Sequence, residues 1–287
     1  MVGKRFLPLM AALVLTLCVG CGVLEGLLPA KKTREVPILM YHHFSQNPAS
    51  DTEVSPEVFA QHLEALSQAG YTAVLFQDLI DFVYHDGDLP EKPVCITMDD
   101  GYLSNYEIAW PVLERYGMKG TVFAIGCSVG HKEFYKDTQF PITPHFGWEE
   151  AREMEVSGVM DVQSHTYDMH QWEPFETGDK IRRSLLPLEG ESEEEYRAAV
   201  LADLTYYNEL RVQEMGEGFQ VLAYPGGDYN ELSEEVIHQQ GGIPVTVTSV
   251  EGGVNTVERG MPESLYAMYR WNITNDVTGE QLLEKIG

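Results

Sequence analysis

Apolar positions along the chain follow two rhythms. Short, mostly apolar runs recur at "PILMY" (37–41), "TAVLF" (72–76), "VCITM" (94–98), "TVFAI" (121–125), "VMDVQ" (159–163), "FQVLAY" (219–224), "PVTVT" (244–248) and "AMYRWNI" (267–273). Runs this short, rich in β-branched and aromatic residues, predict strands. Between them lie stretches of helical period. In "SPEVFAQHLEALSQAGY", Ser55 is placed to cap, Pro56 suits the first turn, Phe59, Leu63 and Leu66 share a face, and Gly70 can close the end. "SNYEIAWPVLERYG" (104–117) carries Pro111, which should kink the helix or delay its regular part. "SEEEYRAAVLADLTYYNELRV" opens with Ser192 and Glu195 in the spacing of a capping box. Residues 171–191, with Pro, Gly and mixed charge, read as a long surface excursion.

Strands separated by helices imply right-handed crossovers and a parallel sheet. The expected fold is therefore α/β, a distorted (β/α) barrel of about seven to eight parallel strands with surrounding helices. In such folds chemistry gathers at the carboxyl ends of the strands, and that is where the informative polar residues fall. Asp99 and Asp100 follow "VCITM", with Gly101 next. On a strand, neighbours point to opposite faces. Past the last ladder bond, with Gly101 free to take positive φ, both carboxylates can face one mouth. Taken alone, Asp-Asp-Gly also fits a plain turn. His165 and His170, in "QSHTYDMHQ", follow another strand. Five positions apart they diverge by about 140° on a helix and oppose each other on a strand, so an irregular loop must bring them together. With an acid from a nearby strand they would form a two-His, one-carboxylate metal site.

These motifs resemble those of the polysaccharide deacetylases of carbohydrate esterase family four, the NodB-like domain. "TMDDG" (97–101) matches the family's first motif and "HTYDMH" (165–170) its second. "YPGG" (224–227) meets the third loosely, and Arg270 within "YRWNI" fits the fourth. The resemblance covers roughly residues 36–287. It implies that Asp100, His165 and His170 hold a divalent metal, usually zinc, and that Asp99 is the general base. It also implies that the backbone N–H of Tyr224 helps hold the oxyanion and that Arg270 orients Asp99. The substrate class implied is an acetylated glucosamine polysaccharide.

The chain departs from the family in two places. "PVTVTSVEGGVNT" has no histidine where many members carry a late proton donor, and Ala223 stands where an arginine is common. His42 and His43, in "ILMYHHF", end the first strand at the same mouth. This start resembles the branch acting on poly-N-acetylglucosamine, and His42 is the expected general acid with His43 structural. Tyr102, His145 and Trp148 are candidates for a sugar subsite or for rim packing, and Asp168 for support of the His loop. The lost histidine also admits a second reading, a catalytically silent glycan-binding surface protein that keeps the metal site. An iron oxygenase is disfavoured, because its ligand order and all-β scaffold differ from the order and rhythm here.

Charge and the N-terminus bear on setting. A formal charge of −26 argues against nucleic-acid partners, which require basic patches. Lys4 and Arg5 precede an uncharged stretch from Phe6 to Val23, the pattern of an export signal. "VGC", ending at Cys21, resembles the lipobox of bacterial lipoproteins, with Cys18 where that pattern prefers Leu. An uncleaved peptide anchor and plain secretion are the alternatives. All three place the remaining chain outside the cytoplasm. Residues 1–35 are accordingly assigned to the anchor and a basic linker, and 36–287 to the deacetylase-like domain. Cys95 and Cys127 belong to opposite ends of neighbouring runs and are expected to be free, buried thiols.

Overall fold

The computed structural model describes residues 32–178 and 180–287, of which Thr33–Gly287 form one compact unit. The expectations for the export segment lie outside the described residues.

Seven parallel strands make the central sheet. Their spatial order is Val245–Val247, Val221–Ala223, Met160–Ser164, Gly120–Ala124, Pro93–Asp100, Ile38–Tyr41 and Trp271–Asn272, with Thr72–Ala73 beside the start of Pro93–Asp100. The last run closes the sheet on itself. Trp271 pairs with Leu39 at one side, while Met268 bridges to Val247 at the other through Thr248 N–H and Met268 N–H, both at 2.9 Å. The result is the distorted (β/α) barrel expected.

Both faces of the strands are buried, which explains their nearly unbroken apolar composition. Cys95 packs in the same cluster as Ile38, Phe123, Val221 and Val245. Ile96 and Met98 alternate to the other face and pack with Phe59, Leu63 and Leu66 of the helix Pro56–Gln68. That helix starts where Ser55 Oγ accepts from Val58 N–H, and Gly70 follows at φ +82°. The long helix Glu193–Met215 begins with the capping box of Ser192 and Glu195 and ends at Gly216 in the left-handed region. Cys95 and Cys127 are free and buried.

Three local expectations need correction. "TAVLF" is a strand only at Thr72–Ala73, because Asp78 caps the Leu75 N–H at 2.9 Å and a helix, Phe76–Tyr84, starts there. "AMYRWNI" is regular only at Trp271–Asn272, since Ala267 takes φ +45°. Pro111, by contrast, delays the regular part of its helix as expected, standing in the first turn of Trp110–Tyr116. A π-turn, Asn105–Ala109, precedes Trp110–Tyr116 and supplies the wider winding that a missing N–H requires. Finally, the fold begins before residue 36, since Thr33–Glu35 pairs antiparallel with Thr256–Glu258.

Candidate functional site

The two adjacent aspartates reach one site by a different route from the one expected. The ladder runs through both, with Asp99 opposite Phe123 and Asp100 opposite Ala124. Alternation sends Asp99 to the same side as Thr97, where both meet Arg270. Asp100 should then face away. Instead it takes φ +74°, a conformation Asp tolerates better than most residues, and Gly101 continues at +86°. The reversal lies in Asp100 itself, not past the strand's end.

Arg270 grips Asp99 with a two-pronged ion pair, Nη1 to Oδ1 at 2.6 Å and Nη2 to Oδ2 at 2.7 Å. Its Nε donates to the Thr248 carbonyl at 2.9 Å, and the guanidinium lies 5.5 Å from the Phe123 ring centre. Both partners are almost wholly buried. Burial pushes the Asp99 carboxyl up, but the charges of Arg270 and His165 and the Arg270 hydrogen bonds outweigh it. The group is held well below the usual carboxylate range.

Asp100, His165 and His170 offer ligand atoms that all lie within 4.8 Å of one another. Asp100 Oδ1 is 3.6 Å from His165 Nε2 and 3.7 Å from His170 Nε2, and is buried without a hydrogen-bond partner. A buried carboxylate oxygen is seldom left unpaired. A divalent cation between it and the two imidazoles would satisfy it, so the donor set fits a metal of the borderline kind. His165 is set for this, because its Nδ1 donates to the Ala223 carbonyl at 2.8 Å and leaves the Nε2 lone pair facing inward. His170 differs. The Trp172 indole N–H donates to its Nδ1 at 2.9 Å, so on the neutral ring the proton sits on Nε2, toward Asp100. Burial and the neighbouring His165 lower the His170 pKa to about 4, keeping the ring neutral near pH 7.

The irregular loop that joins the two histidines is held from beneath. Thr166 takes φ +67°. Asp203, on the long helix, accepts from the Tyr167 and Asp168 N–H groups at 2.9 and 2.8 Å. Asp168 points the other way and takes both its oxygens to Lys136, at 2.7 and 2.8 Å. Composition and spacing carry no signal for Asp203, which lies 33 positions beyond His170 in the sequence.

A cleft of about 550 Å³ opens over these groups and is also lined by His42, Trp172, Tyr224, Gly226, Gly227 and Glu251. The half-buried His42 is thus at the mouth, its carbonyl held by Asn105 Nδ2 at 2.8 Å. His43 bonds Ser104 Oγ through Nδ1 at 2.8 Å, a structural tie. The expectation for Tyr224 fails. Its N–H donates to the Val247 carbonyl at 2.9 Å as part of the sheet and cannot also face the cleft. Its hydroxyl donates to Glu234 Oε1 at 2.5 Å. Among the described residues the Gly226 N–H, two positions on, makes no such bond, and Gly226 takes φ +64°. Tyr102 and His145 line a neighbouring cavity, whereas Trp148 packs beside Tyr207, their ring centres 6.4 Å apart.

The family model described as polysaccharide deacetylase matches residues 86–243, more than half of the chain. Among curated proteins, the chain is 29% identical over 252 residues to YxkH of Bacillus subtilis (strain 168), which carries the polysaccharide deacetylase name. That match covers 88% of this chain and 76% of the relative. It is 27% identical over 168 residues to the poly-β-1,6-N-acetyl-D-glucosamine N-deacetylase of Staphylococcus aureus (strain MRSA252), covering 58% of this chain and 52% of that one. Among solved structures, IcaB from Ammonifex degensii superposes with a TM-score of 0.70 at 26% identity, covering 88% of this chain and 97% of that one.

Proposed function

The chain belongs to the polysaccharide deacetylase family, and from that premise we propose that it removes acetyl groups from N-acetylglucosamine units of a polysaccharide, with a divalent cation, zinc by preference, held by Asp100, His165 and His170. The observation that carries this reading is the meeting of three ligand side chains with a spare, arginine-locked carboxylate in one cleft. The relatives named for poly-N-acetylglucosamine support a glucosamine polymer as substrate.

A bound cation supplies Lewis acidity, polarising the acetyl carbonyl and making water easier to deprotonate. The chain's own residues do the rest. Asp99, kept ionised by Arg270, accepts a proton from the attacking water; each of its oxygens retains a lone pair beside the Arg270 bonds. Orientation by two fixed N–H donors keeps that carboxylate from turning away. The Gly226 N–H is the backbone donor free to meet the negative charge that develops on the carbonyl oxygen. His42, which lines the same cleft, donates a proton to the departing amine, so that the C–N bond breaks to give acetate and a free glucosamine nitrogen. The locked Asp99 favours catalysis over silent glycan binding, because binding alone gives no reason to bury a second carboxylate against an arginine.

The reading extends to setting. The uncharged stretch after Lys4 and Arg5 supports export, with lipid attachment at Cys21 as the preferred anchor. The deciding experiment is acetate release from β-1,6- and β-1,4-linked N-acetylglucosamine oligomers, with added zinc and with a chelator. Release that requires the cation, and that falls roughly a hundredfold in His42→Ala, is expected. Absence of release from every acetylated polymer tried overturns the reading, and undiminished turnover by His42→Ala removes that residue from it.

A further inference from the structure

Glu234 has no part in the reaction described so far, yet its carboxylate is engaged on both oxygens. Oε1 accepts from the Tyr224 hydroxyl at 2.5 Å and from the Thr246 hydroxyl at 2.9 Å, and Oε2 faces His238 Nε2 at 3.2 Å. The residue sits on a short helix, Glu231–Glu235, which widens into a π-turn, Val236–Gln240, that carries His238. Burial pushes the Glu234 carboxyl up, but the hydrogen bonds from His238, Tyr224 and Thr246 outweigh it and hold the group below its usual range. The cluster lies on the outer face of the sheet. Val221, Ala223, Val245 and Val247 share one core cluster, whereas Leu222 and Tyr224 pack in another with the helix Glu193–Met215. Thr246, between Val245 and Val247, alternates outward toward that second layer. Glu234 is accordingly not among the residues that line the cleft.

Two segments that serve the reaction end at this one oxygen. The first is the turn after Tyr224. Tyr224 is fully buried, its carbonyl accepts the Gly227 N–H at 2.8 Å, and the turn so formed presents the Gly226 N–H. The second is the stretch before Arg270. Ala267 takes φ +45°, a left-handed conformation that a residue with a Cβ keeps only where its surroundings hold it. Thr246 Oγ1 does so by accepting the Ala267 N–H at 2.7 Å while its own proton goes to Glu234. The His238 ring stacks on Tyr266, the residue before, with 3.5 Å between ring centres. Met268 then bridges Thr246 and Thr248, and Arg270 reaches the Thr248 carbonyl and Asp99.

We propose that Glu234 is a positioning residue: through Oε1 it fixes both the turn that presents the Gly226 N–H and the segment that delivers Arg270 to Asp99, without touching the substrate. The proposal rests on the deacetylase reading for the reaction it serves. Both groups that it sets act on the transition state, one at the developing charge and the other behind the base. Loss of Glu234 therefore lowers kcat and leaves KM alone.

The test is acetate release by the zinc-loaded full chain from β-1,6- and β-1,4-linked N-acetylglucosamine tetramers, paired with amide hydrogen exchange of the cation-stripped protein. Glu234→Leu removes the shared acceptor and should lower kcat roughly a hundredfold, the cost of a displacement of about 1 Å, at unchanged KM. Glu234→Gln keeps a carbonyl oxygen with two lone pairs for the same hydroxyls and should recover most of that loss. Exchange at the Ala267 N–H should quicken roughly fivefold in Glu234→Leu, the worth of one net hydrogen bond, and not in Glu234→Gln. Should Glu234→Leu fail to fold, Tyr224→Phe and Thr246→Val decide instead. Each keeps the side chain's shape, removes one hydroxyl, and should lower kcat roughly tenfold at constant KM. Unchanged kcat in these variants, a change confined to KM, or a loss that Glu234→Gln shares in full overturns the proposal while the deacetylase reading stands. If no polymer releases acetate yet exchange at Ala267 responds as expected, the deacetylase reading falls and the tie from Glu234 to the Arg270 segment stands.

Discussion

Arg270→Met strips Asp99 of both charge-assisted hydrogen bonds, 2.6 and 2.7 Å long, while keeping an apolar stem against Phe123. Asp99 is about 3% exposed, so water cannot replace the lost partner. Removing one member of a buried pair costs about 3–5 kcal/mol, since the other is left charged and unpaired. Asp99→Asn leaves the guanidinium one carbonyl acceptor and the Thr248 contact, and should cost less, about 2–3 kcal/mol. The double variant removes the charge and its partner together. Its destabilisation should therefore fall short of the sum of the single ones by roughly 2 kcal/mol or more. Urea unfolding of the cation-stripped proteins, followed by circular dichroism, measures all four corners of the cycle. The reasoning is refuted if Arg270→Met unfolds within about 1 kcal/mol of wild type, or if the two substitutions simply add. The same variant should lose roughly 10²–10⁴ in acetate release, the usual worth of an oriented base. Arg270→Lys should recover little of it, because an ammonium cannot engage both carboxylate oxygens at once.

Two further outcomes follow from the support of the histidine loop. Burial raises the Asp203 carboxyl to about 6, although the Tyr167 and Asp168 amides pull it down. A raised carboxyl favours the folded state fully below its unfolded value, and that contribution is lost as pH rises through about 6. Asp203→Asn lacks this loss, so its stability relative to wild type should improve from pH 4 to pH 7 by on the order of 3 kcal/mol, whatever constant cost the missing second acceptor adds; parallel stability curves would contradict this. Trp172→Phe removes the indole donor that keeps the proton of His170 on Nε2. Zinc affinity, measured by competition with a coloured chelator, should tighten roughly fivefold, the worth of one net hydrogen bond, and an unchanged or weaker affinity would show that the indole does not compete with the cation.

Local sequence determined much of this protein, because some physical signals act over a few residues. Ser55 and Ser192 cap their helices where their side chains reach N–H groups three positions on. Apolar runs placed six of the seven central strands to within about two residues, and the acids and histidines fell at their carboxyl ends. The separation between Asp100 and the imidazoles is another matter, since Asp100 and His165, about 65 positions apart, meet only because both their strands pair with Gly120–Ala124 between them. Three features were decided only in three dimensions. Asp100 faces the site through its own positive φ, which Asp tolerates but which the apolar run before it does not announce. The Tyr224 N–H is spent on Val247, a partner supplied by the neighbouring strand. Asp203 and Trp172 touch the histidine loop from elements whose sequences give no hint of that duty. A side chain's periodicity is written in its neighbours along the chain, whereas the partner of a hydrogen bond across the barrel is written only in the packing.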